Sequence, residues 1–320
     1  MPTFSGRSCH KFDHSARGLV TPMEASAVDA HADYLNITVP FGESADITDV
    51  VLEAVAAALP HPRPNIPNVW DIGTIGKQVG TMKLYRRGEV FIISFSGLAL
   101  LFLRANECFG NLLWAFANRP HRVSHLDAAL DLPGVEASPI VLDLYRQGIA
   151  RGGYRLSQRL APVDSHFGIG KHGTETGTVY VGAKDARISL AVYDKREEQV
   201  KKGRLDPGPM IRYEMRFRGG SDGVPLTLRD AADPTAVFWH YMPPVILRPA
   251  RGVSIPEWVK SDDVGYRLPP RVPRTPEEIL RRWVENVGMD GLKLADAVGP
   301  YGRGLMASLM HLTTSGRRRE

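Results

Sequence analysis

The chain has 320 residues, of which 43% are hydrophobic and 23% are charged. This composition supplies enough apolar side chains for the core of one large or two ordinary domains, and it excludes a disordered, collagen-like or small disulfide-stabilised protein. Forty Lys and Arg face 35 Asp and Glu, which gives a net charge of +5. That mild excess is compatible with an anionic partner but does not by itself indicate one.

Cysteine content and hydropathy predict a cytoplasmic protein that does not enter a membrane. Cys9 and Cys108 are the two cysteines, too few for a disulfide framework or a four-thiolate zinc site. The longest apolar run, residues 91–103, is too short to cross a bilayer. Residues 6–14 are polar, which does not fit a secretory signal peptide.

The first 120 residues predict an N-terminal arm followed by mixed elements. Residues 1–30 are polar and unpatterned, which favours a flexible arm. Residues 33–39 read as a strand and residues 46–59 as a helix that ends at a group of prolines. Two strands at 79–85 and 89–95 predict a β-hairpin. A helix is predicted over residues 98–118, with these side chains in the core: Leu101, Phe102, Leu112, Leu113 and Trp114.

The middle of the chain carries the clearest strands, at residues 122–131, 177–182, 187–195 and 211–218, with a helix predicted at 139–150. Residues 31–242 are therefore assigned to one main domain. A proline-rich linker is predicted over 243–274 because seven prolines fall between Pro243 and Pro273. Residues 275–320 are predicted to form a helical segment with a basic tail, since Thr275, Pro276 and Glu278 make a capping-box signature.

Alternation along three of these strands separates an apolar face from a polar one, because successive side chains point to opposite sides of a strand. If the strands share a sheet, one face is core and the other collects carboxylates, a tyrosine and cations. The polar sets are His125, Asp127, Ala129 and Asp131; then Arg187, Ser189, Ala191, Tyr193 and Lys195; then Arg212, Glu214, Arg216 and Arg218. Exposure to solvent could explain the polar face of one strand, but three such strands together suggest a functional site.

These residue types suit phosphodiester chemistry. Asp127 and Glu214 can supply oxygen ligands to Mg²⁺ or Mn²⁺, which neutralises charge on a phosphodiester. Arg212 can hold a phosphate oxygen with two donors. Lys195 can favour the phenolate of Tyr193, whose ordinary pKa is about 10 and makes the phenol a poor nucleophile.

The span from 182 to 218 holds most of the net charge of the chain. It contains ten Lys or Arg against six Asp or Glu, a net charge of +4. Such a surface fits a nucleic-acid backbone, and the cations proposed to contact it are Arg187, Arg216 and Arg218.

The order of four short motifs resembles a known family. They are His125-Leu-Asp-Ala-Ala-Leu-Asp131, Thr178-Val-Tyr-Val-Gly182, Ala191-Val-Tyr-Asp-Lys195 and Arg212-Tyr-Glu214. This series is similar to the replication initiators of rolling-circle plasmids of the Rep_trans type and their filamentous-phage relatives. The resemblance covers residues 122–218 well, including the thirteen-residue spacing between Tyr180 and Tyr193. His125 and Ala191 stand where plasmid members commonly have Arg, so two expected cations are missing.

The resemblance implies an α+β fold with a central antiparallel sheet and flanking helices, as in the relaxase and Rep class. It further implies a nicking and joining enzyme in which Tyr193 is the nucleophile, Asp127 and Glu214 bind Mg²⁺ or Mn²⁺, and Arg212 belongs to the site. Single-stranded or cruciform origin DNA is the implied substrate. A homodimer and contacts with a host helicase and polymerase remain open.

Three other interpretations are weighed. A sequence-specific DNA-binding regulator could use the same basic face without chemistry, although Asp127 and Glu214 would then repel the ligand. A tyrosine recombinase also uses a tyrosine nucleophile, but no C-terminal helical domain with the matching Arg, His and Tyr series is evident. The string Gly168-Ile-Gly-Lys-His-Gly173 fits a dinucleotide motif, yet no helix is predicted after it, which favours a loop.

Overall fold

The computed structural model describes residues 29–43, 46–75, 78–156, 159–169, 175–219 and 223–247. The predicted N-terminal arm up to residue 28, most of the linker and the segment 275–320 with its predicted helix and basic tail lie outside the described residues. By backbone contacts the chain divides into Met1–Arg267 and Leu268–Glu320, and all of the described residues belong to the first unit.

Twelve strands and eight α-helices are described. The strands are β1 (His31–Pro40), β2 (His61–Pro62), β3 (Val69–Ile75), β4 (Gln78–Arg87), β5 (Val90–Ser96), β6 (Arg122–Pro133), β7 (Tyr154–Leu156), β8 (Arg159–Ala161), β9 (Val163–Ile169), β10 (Glu175–Val181), β11 (Ile188–Asp194) and β12 (Met210–Arg218). The helices are α1 (Ile47–Ala54), α2 (Gly97–Ala105), α3 (Cys108–Phe116), α4 (Ala137–Arg151), α5 (Lys195–Lys201), α6 (Leu228–Ala232), α7 (Thr235–Tyr241) and α8 (Pro244–Leu247).

Ten strands form one sheet in the order β2-β3-β4-β5-β1-β6-β12-β11-β10-β9, and every pairing between neighbours is antiparallel. Strands β7 and β8 form a separate pair. The expected α+β class with a central antiparallel sheet and flanking helices is confirmed. The predicted hairpin is β4–β5, and the three strands with polar faces lie side by side as β6, β12 and β11.

The main helices cover one face of the sheet, which carries the apolar side chains and is called the apolar face. In α7, Tyr241 packs on Phe217 of β12, with ring centroids 5.6 Å apart. In α4, Tyr145 packs on Phe167 of β9. A Cβ added to Gly80 of β4 would lie 2.6 Å from the backbone nitrogen of Ala99, so a glycine lets α2 lie directly on the sheet. The opposite face, which carries Tyr193 and Glu214, is called the polar face.

The helix predicted over residues 98–118 is two helices, which corrects the prediction. Asn106 ends α2 by donating its side-chain amide to the Phe102 carbonyl at 2.8 Å. Glu107 then adopts a left-handed backbone with φ of 55°, which a continuous helix cannot accommodate. The prediction that Leu101 and Trp114 lie in the core is wrong: they are 51% and 84% exposed. Trp114 follows the break, which changes the direction that its half of the predicted helix presents to the core.

Three further features bear on the predicted organisation. The range predicted as a linker begins with the short helix α8, in which Ile246 and Leu247 are buried. The glycine-rich string starts inside β9 rather than in a loop, and residues 170–174 lie outside the described residues. Within the described part of the chain, no helix is long and apolar enough to span a membrane.

Candidate functional site

The antiparallel register of β11, β12 and β6 aligns the predicted site residues in three rows across the polar face. Tyr193 pairs with Arg212, which pairs with Asp131. One row further, Ala191 pairs with Glu214, which pairs with Ala129. The third row consists of Ser189, Arg216 and Asp127. Strand parity therefore correctly predicts that Tyr193, Asp127, Glu214 and two of the arginines share one surface.

The hydroxyl of Tyr193 donates a hydrogen bond to Glu214 Oε2 at 2.9 Å. The other oxygen of this carboxylate, Oε1, accepts from Arg216 Nε at 2.7 Å. Glu214 is 5% exposed, although it lies on the face turned away from the helices. Alanines on both sides, at 129 and 191, leave room for its side chain to lie over the sheet. A solvated outer face would not bury a carboxylate in this way, so water exposure alone does not account for the polar face here.

Burial, and after it the charge of Glu214, raise the pKa of Tyr193 well above its ordinary value. The phenol therefore carries its proton at neutral pH. Lys195, expected to favour the phenolate, lies at the start of α5 with its Nζ 5.8 Å from the centroid of the Tyr193 ring. That ammonium is paired with Glu198 at 2.5 Å. The expected lowering of the Tyr193 pKa is not found, and the group that accepts the hydrogen bond of the phenol is Glu214.

Arg212 is 4% exposed and lies at the centre of an ion-pair cluster. Its Nε and one terminal nitrogen both bind Asp131 at 2.6 Å. Its other terminal nitrogen lies 2.8 Å from Asp33 Oδ1, and His31 Nε2 lies 3.3 Å from the guanidinium. A phosphate would reach Arg212 only in competition with two carboxylates.

Asp33 and His31 belong to this cluster but were not identified from the sequence as site residues. The pairing of β1 with β6 shifts by one residue between Ala32 and Tyr34, so Asp33 is the extra residue of a β-bulge. The bulge turns its carboxylate towards Arg212. A Cβ on Gly97 would lie 2.6 Å from Asp33 Oδ1. The glycine therefore leaves the space that the Asp33 carboxylate occupies. The available signal was that Asp33 is the one carboxylate in β1, next to a run in which alternate residues are apolar.

Asp33 shows how strongly Arg212 acts on its surroundings. Burial alone would raise the pKa of Asp33, but the Arg212 guanidinium outweighs it and the net pKa lies below the ordinary value. His31 shifts for related reasons: burial, followed by Arg212, lowers its pKa. The cluster thus combines the Arg212 guanidinium with the side chains of Asp33, Asp131 and His31.

The predicted metal ligands, Asp127 and Glu214, lie on neighbouring strands of the polar face. Asp127 Oδ1 is bound by His125 Nε2 at 2.7 Å. Among the residues that the structure describes, no three His, Cys, Asp or Glu are grouped to hold a metal ion by themselves. Two carboxylates are nevertheless the usual protein contribution to a Mg²⁺ site that is completed by substrate phosphates and water. Asp127 and Glu214 are therefore of the ligand type that Mg²⁺ or Mn²⁺ takes from a protein.

The three cations predicted to contact nucleic acid lie on the polar face, near the C-terminal end of β12, where Arg218 is the last residue. Burial alone would lower the pKa of Arg216, but Glu214, then Asp127 and Tyr180, raise it above the ordinary value. Arg218 donates to the Lys184 carbonyl at 2.9 Å. Arg187 is half-buried, and its carbonyl accepts from the Arg218 backbone.

We expect Arg212→Met to lower the free energy of unfolding by about 3 kcal/mol at pH 7, because removal of the buried guanidinium leaves two half-buried carboxylates unpaired. Arg196→Met is the matched control, since the ion pair of Arg196 with Asp206 is exposed to solvent and its loss should change stability little. Urea denaturation measures both.

The pH dependence of this difference follows from Asp33. Its folded-state pKa is lowered, so its stabilising contribution is present above the unfolded-state value of about 4 and is lost as pH falls through the folded-state value. The deficit of Arg212→Met should therefore shrink below pH of about 4. Equal deficits for the two variants at pH 7 would contradict a structural role for the cluster.

Comparison with solved structures gives distant structural likenesses. No family model matches the sequence, and no curated protein matches it. A rolling circle replication initiator protein from Geobacillus stearothermophilus is 18% identical with a TM-score of 0.40, over 59% of this chain and 74% of the other. DynU16, from the dynemicin biosynthetic locus, is 12% identical with a TM-score of 0.21, over 71% and 95% of the two chains. Both TM-scores are low, so the geometry of the site is the stronger guide to function.

Proposed function

We propose that this protein nicks and rejoins single-stranded or cruciform origin DNA to start rolling-circle replication, with Tyr193 as the nucleophile. The observation that carries the proposal is the hydrogen bond from the Tyr193 hydroxyl to Glu214, a buried carboxylate flanked by Arg216. A nucleophile bonded to a base that is itself oriented by a third group is the arrangement that covalent catalysis requires. The motif resemblance points to the same tyrosine.

The chemistry balances without a further co-reactant. Tyr193 Oη attacks a phosphodiester and its proton passes to Glu214 Oε2. The bond between phosphorus and the 3′-oxygen breaks, the 3′-oxygen leaves as a hydroxyl by taking a proton from water, Glu214 returns its proton to water, and the 5′-phosphate stays on Tyr193. The phosphotyrosine ester retains the energy of the broken bond, so attack by a 3′-hydroxyl rejoins the strand without ATP. After the nicking step, the free 3′-hydroxyl can serve as a primer for a host polymerase.

The cations of the polar face have different tasks in this proposal. Arg216 is placed to contact the phosphate beside Tyr193, since its side chain is one-third exposed and already binds Glu214. Arg187 and Arg218 would follow the DNA backbone further along the strands. Arg212 and Lys195 are more enclosed, and we assign them to holding the Tyr193 strand and its neighbours in position.

We further propose that Mg²⁺ or Mn²⁺ takes part. Asp127 and Glu214 would hold the ion together with phosphate oxygens of DNA, and the bound ion would neutralise charge that develops on the phosphodiester. Nothing in the proton transfer from Tyr193 to Glu214 depends on it.

The wild-type protein, incubated with single-stranded origin DNA and Mn²⁺, should form a covalent protein–DNA band that survives denaturation. An excess of chelator should remove this band while DNA binding, measured by fluorescence anisotropy, persists. Cleavage that continues in chelator would contradict metal dependence but not the tyrosine mechanism. Origin binding with no adduct under any metal condition would instead favour the DNA-binding regulator.

A further inference from the structure

An aromatic pair lies on the polar face beside the proposed nucleophile. Tyr180 of β10 and His166 of the edge strand β9 pack edge to face, with ring centroids 5.6 Å apart. Thr178 pairs with both Tyr193 and His166, so Tyr180, two residues on, is a diagonal neighbour of each. Neither ring is enclosed: Tyr180 is half-buried and His166 is exposed.

The pair is not part of the packing between sheet and helices. The helix on β9 and β10 is α4, which lies on the other face, where Tyr145 packs on Phe167 and Val141 lies against Gly177. The apolar side chains of β10, Val179 and Val181, are the ones that are buried there. Core packing therefore does not explain the two rings on the polar face.

We infer that Tyr180 and His166 form a stacking platform for an unpaired base of single-stranded DNA next to Tyr193. This inference rests on the proposed function for the identity of the ligand. Aromatic side chains that flank a basic track stack unpaired bases in many proteins, largely without regard to sequence, because every base offers a π-face. Here the basic track is supplied by Arg216 and Arg218 on β12.

The charges on the two sides of Tyr180 determine where the phosphates and the bases of the DNA would lie. Asp164 pairs with Tyr180 from β9 and is exposed, so that side repels phosphate. On the other side Arg216 lies close enough for Tyr180 to contribute to its electrostatic environment. The backbone is thus favoured over β11 and β12 and the base over β9 and β10. This orientation also brings a phosphate towards Tyr193.

The test uses full-length protein and an oligonucleotide carrying 2-aminopurine at single positions around the cleavage site, because stacking quenches the fluorescence of this base. Tyr180→Leu should lose the quenching at one position and weaken single-strand binding by about 5- to 150-fold, the range for loss of one base stack. Tyr180→Phe, which keeps the ring, should behave as wild type. His166→Leu changes only an exposed side chain and should also reduce the quenching.

The matched control is Tyr85→Leu, which removes a tyrosine 40% exposed on β4, in the other half of the sheet, and should change neither signal. An oligonucleotide lacking the base at the quenched position should bind wild type and Tyr180→Leu equally. Wild-type quenching in both Tyr180→Leu and His166→Leu would overturn the inference. The assay needs no cleavage, so a missing covalent adduct together with Tyr180-dependent quenching would refute the nicking proposal and leave the platform standing.

Discussion

Tyr193→Phe should abolish the covalent protein–DNA adduct while single-strand binding stays nearly unchanged. The substitution removes one oxygen atom, which is the proposed nucleophile, and leaves the ring and all charges in place. The lost hydrogen bond to Glu214 should cost about 1 kcal/mol of stability, which a folded protein of this size tolerates. Denaturing gel electrophoresis with labelled DNA measures the adduct, and fluorescence anisotropy measures binding.

Tyr180→Phe is the control for this experiment, because Tyr180 lies on the same face of the adjacent strand and is also half-buried. It pairs with Ala191 rather than with Arg212, and its ring packs on His166. The Tyr180→Phe substitution removes only a hydroxyl and should leave formation of the adduct intact. An adduct that persists in Tyr193→Phe and disappears in Tyr180→Phe would transfer the nucleophile to Tyr180 and remove the basis of the proposed mechanism.

Much of the site could be predicted from the sequence because it is built on strands with regular alternation. In β12 the side chains of Ile211, Tyr213, Met215 and Phe217 are fully buried, which leaves the even-numbered residues on the other face whatever the neighbouring strands are. The same reasoning places Asp127 and Tyr193. What parity cannot give is the lateral order of the strands, which decides that β12 lies between β6 and β11 and brings Glu214 to Tyr193.

Features that depend on irregular backbone were missed. Asp33 points to Arg212 because of a single-residue bulge, which reverses the parity that its strand would otherwise have. The break at Asn106 and Glu107 likewise depends on one left-handed residue, and it turns Trp114 to the surface. The direction of the Tyr193 pKa shift also could not be predicted from the sequence. The pKa of Tyr193 is raised because the tyrosine is buried beside Glu214, whereas its sequence neighbour Lys195 suggested the opposite.

Glu214→Gln should reduce nicking by about 10²- to 10⁴-fold, the usual contribution of a positioned general base. Glutamine keeps the shape of the side chain and can still accept from Tyr193, but it cannot take the proton. Glu53→Gln, an exposed change on α1, is the control for altered net charge. Single-turnover rates of adduct formation, with binding held at saturation, measure the chemical step.

The pH profile separates the two roles assigned to Glu214. Since burial and the Glu214 charge raise the pKa of Tyr193, the phenolate fraction is small throughout the accessible range and grows about tenfold for each pH unit below that pKa. Without a base the reaction depends on that fraction, so the rate of Glu214→Gln should climb with this slope between about pH 7 and 9 while the wild-type rate changes less. If Glu214 served only as a metal ligand, extra Mn²⁺ would restore the variant and high pH would not. Restoration by Mn²⁺ with a flat pH profile would therefore contradict proton transfer to Glu214 and leave its carboxylate a metal ligand alone.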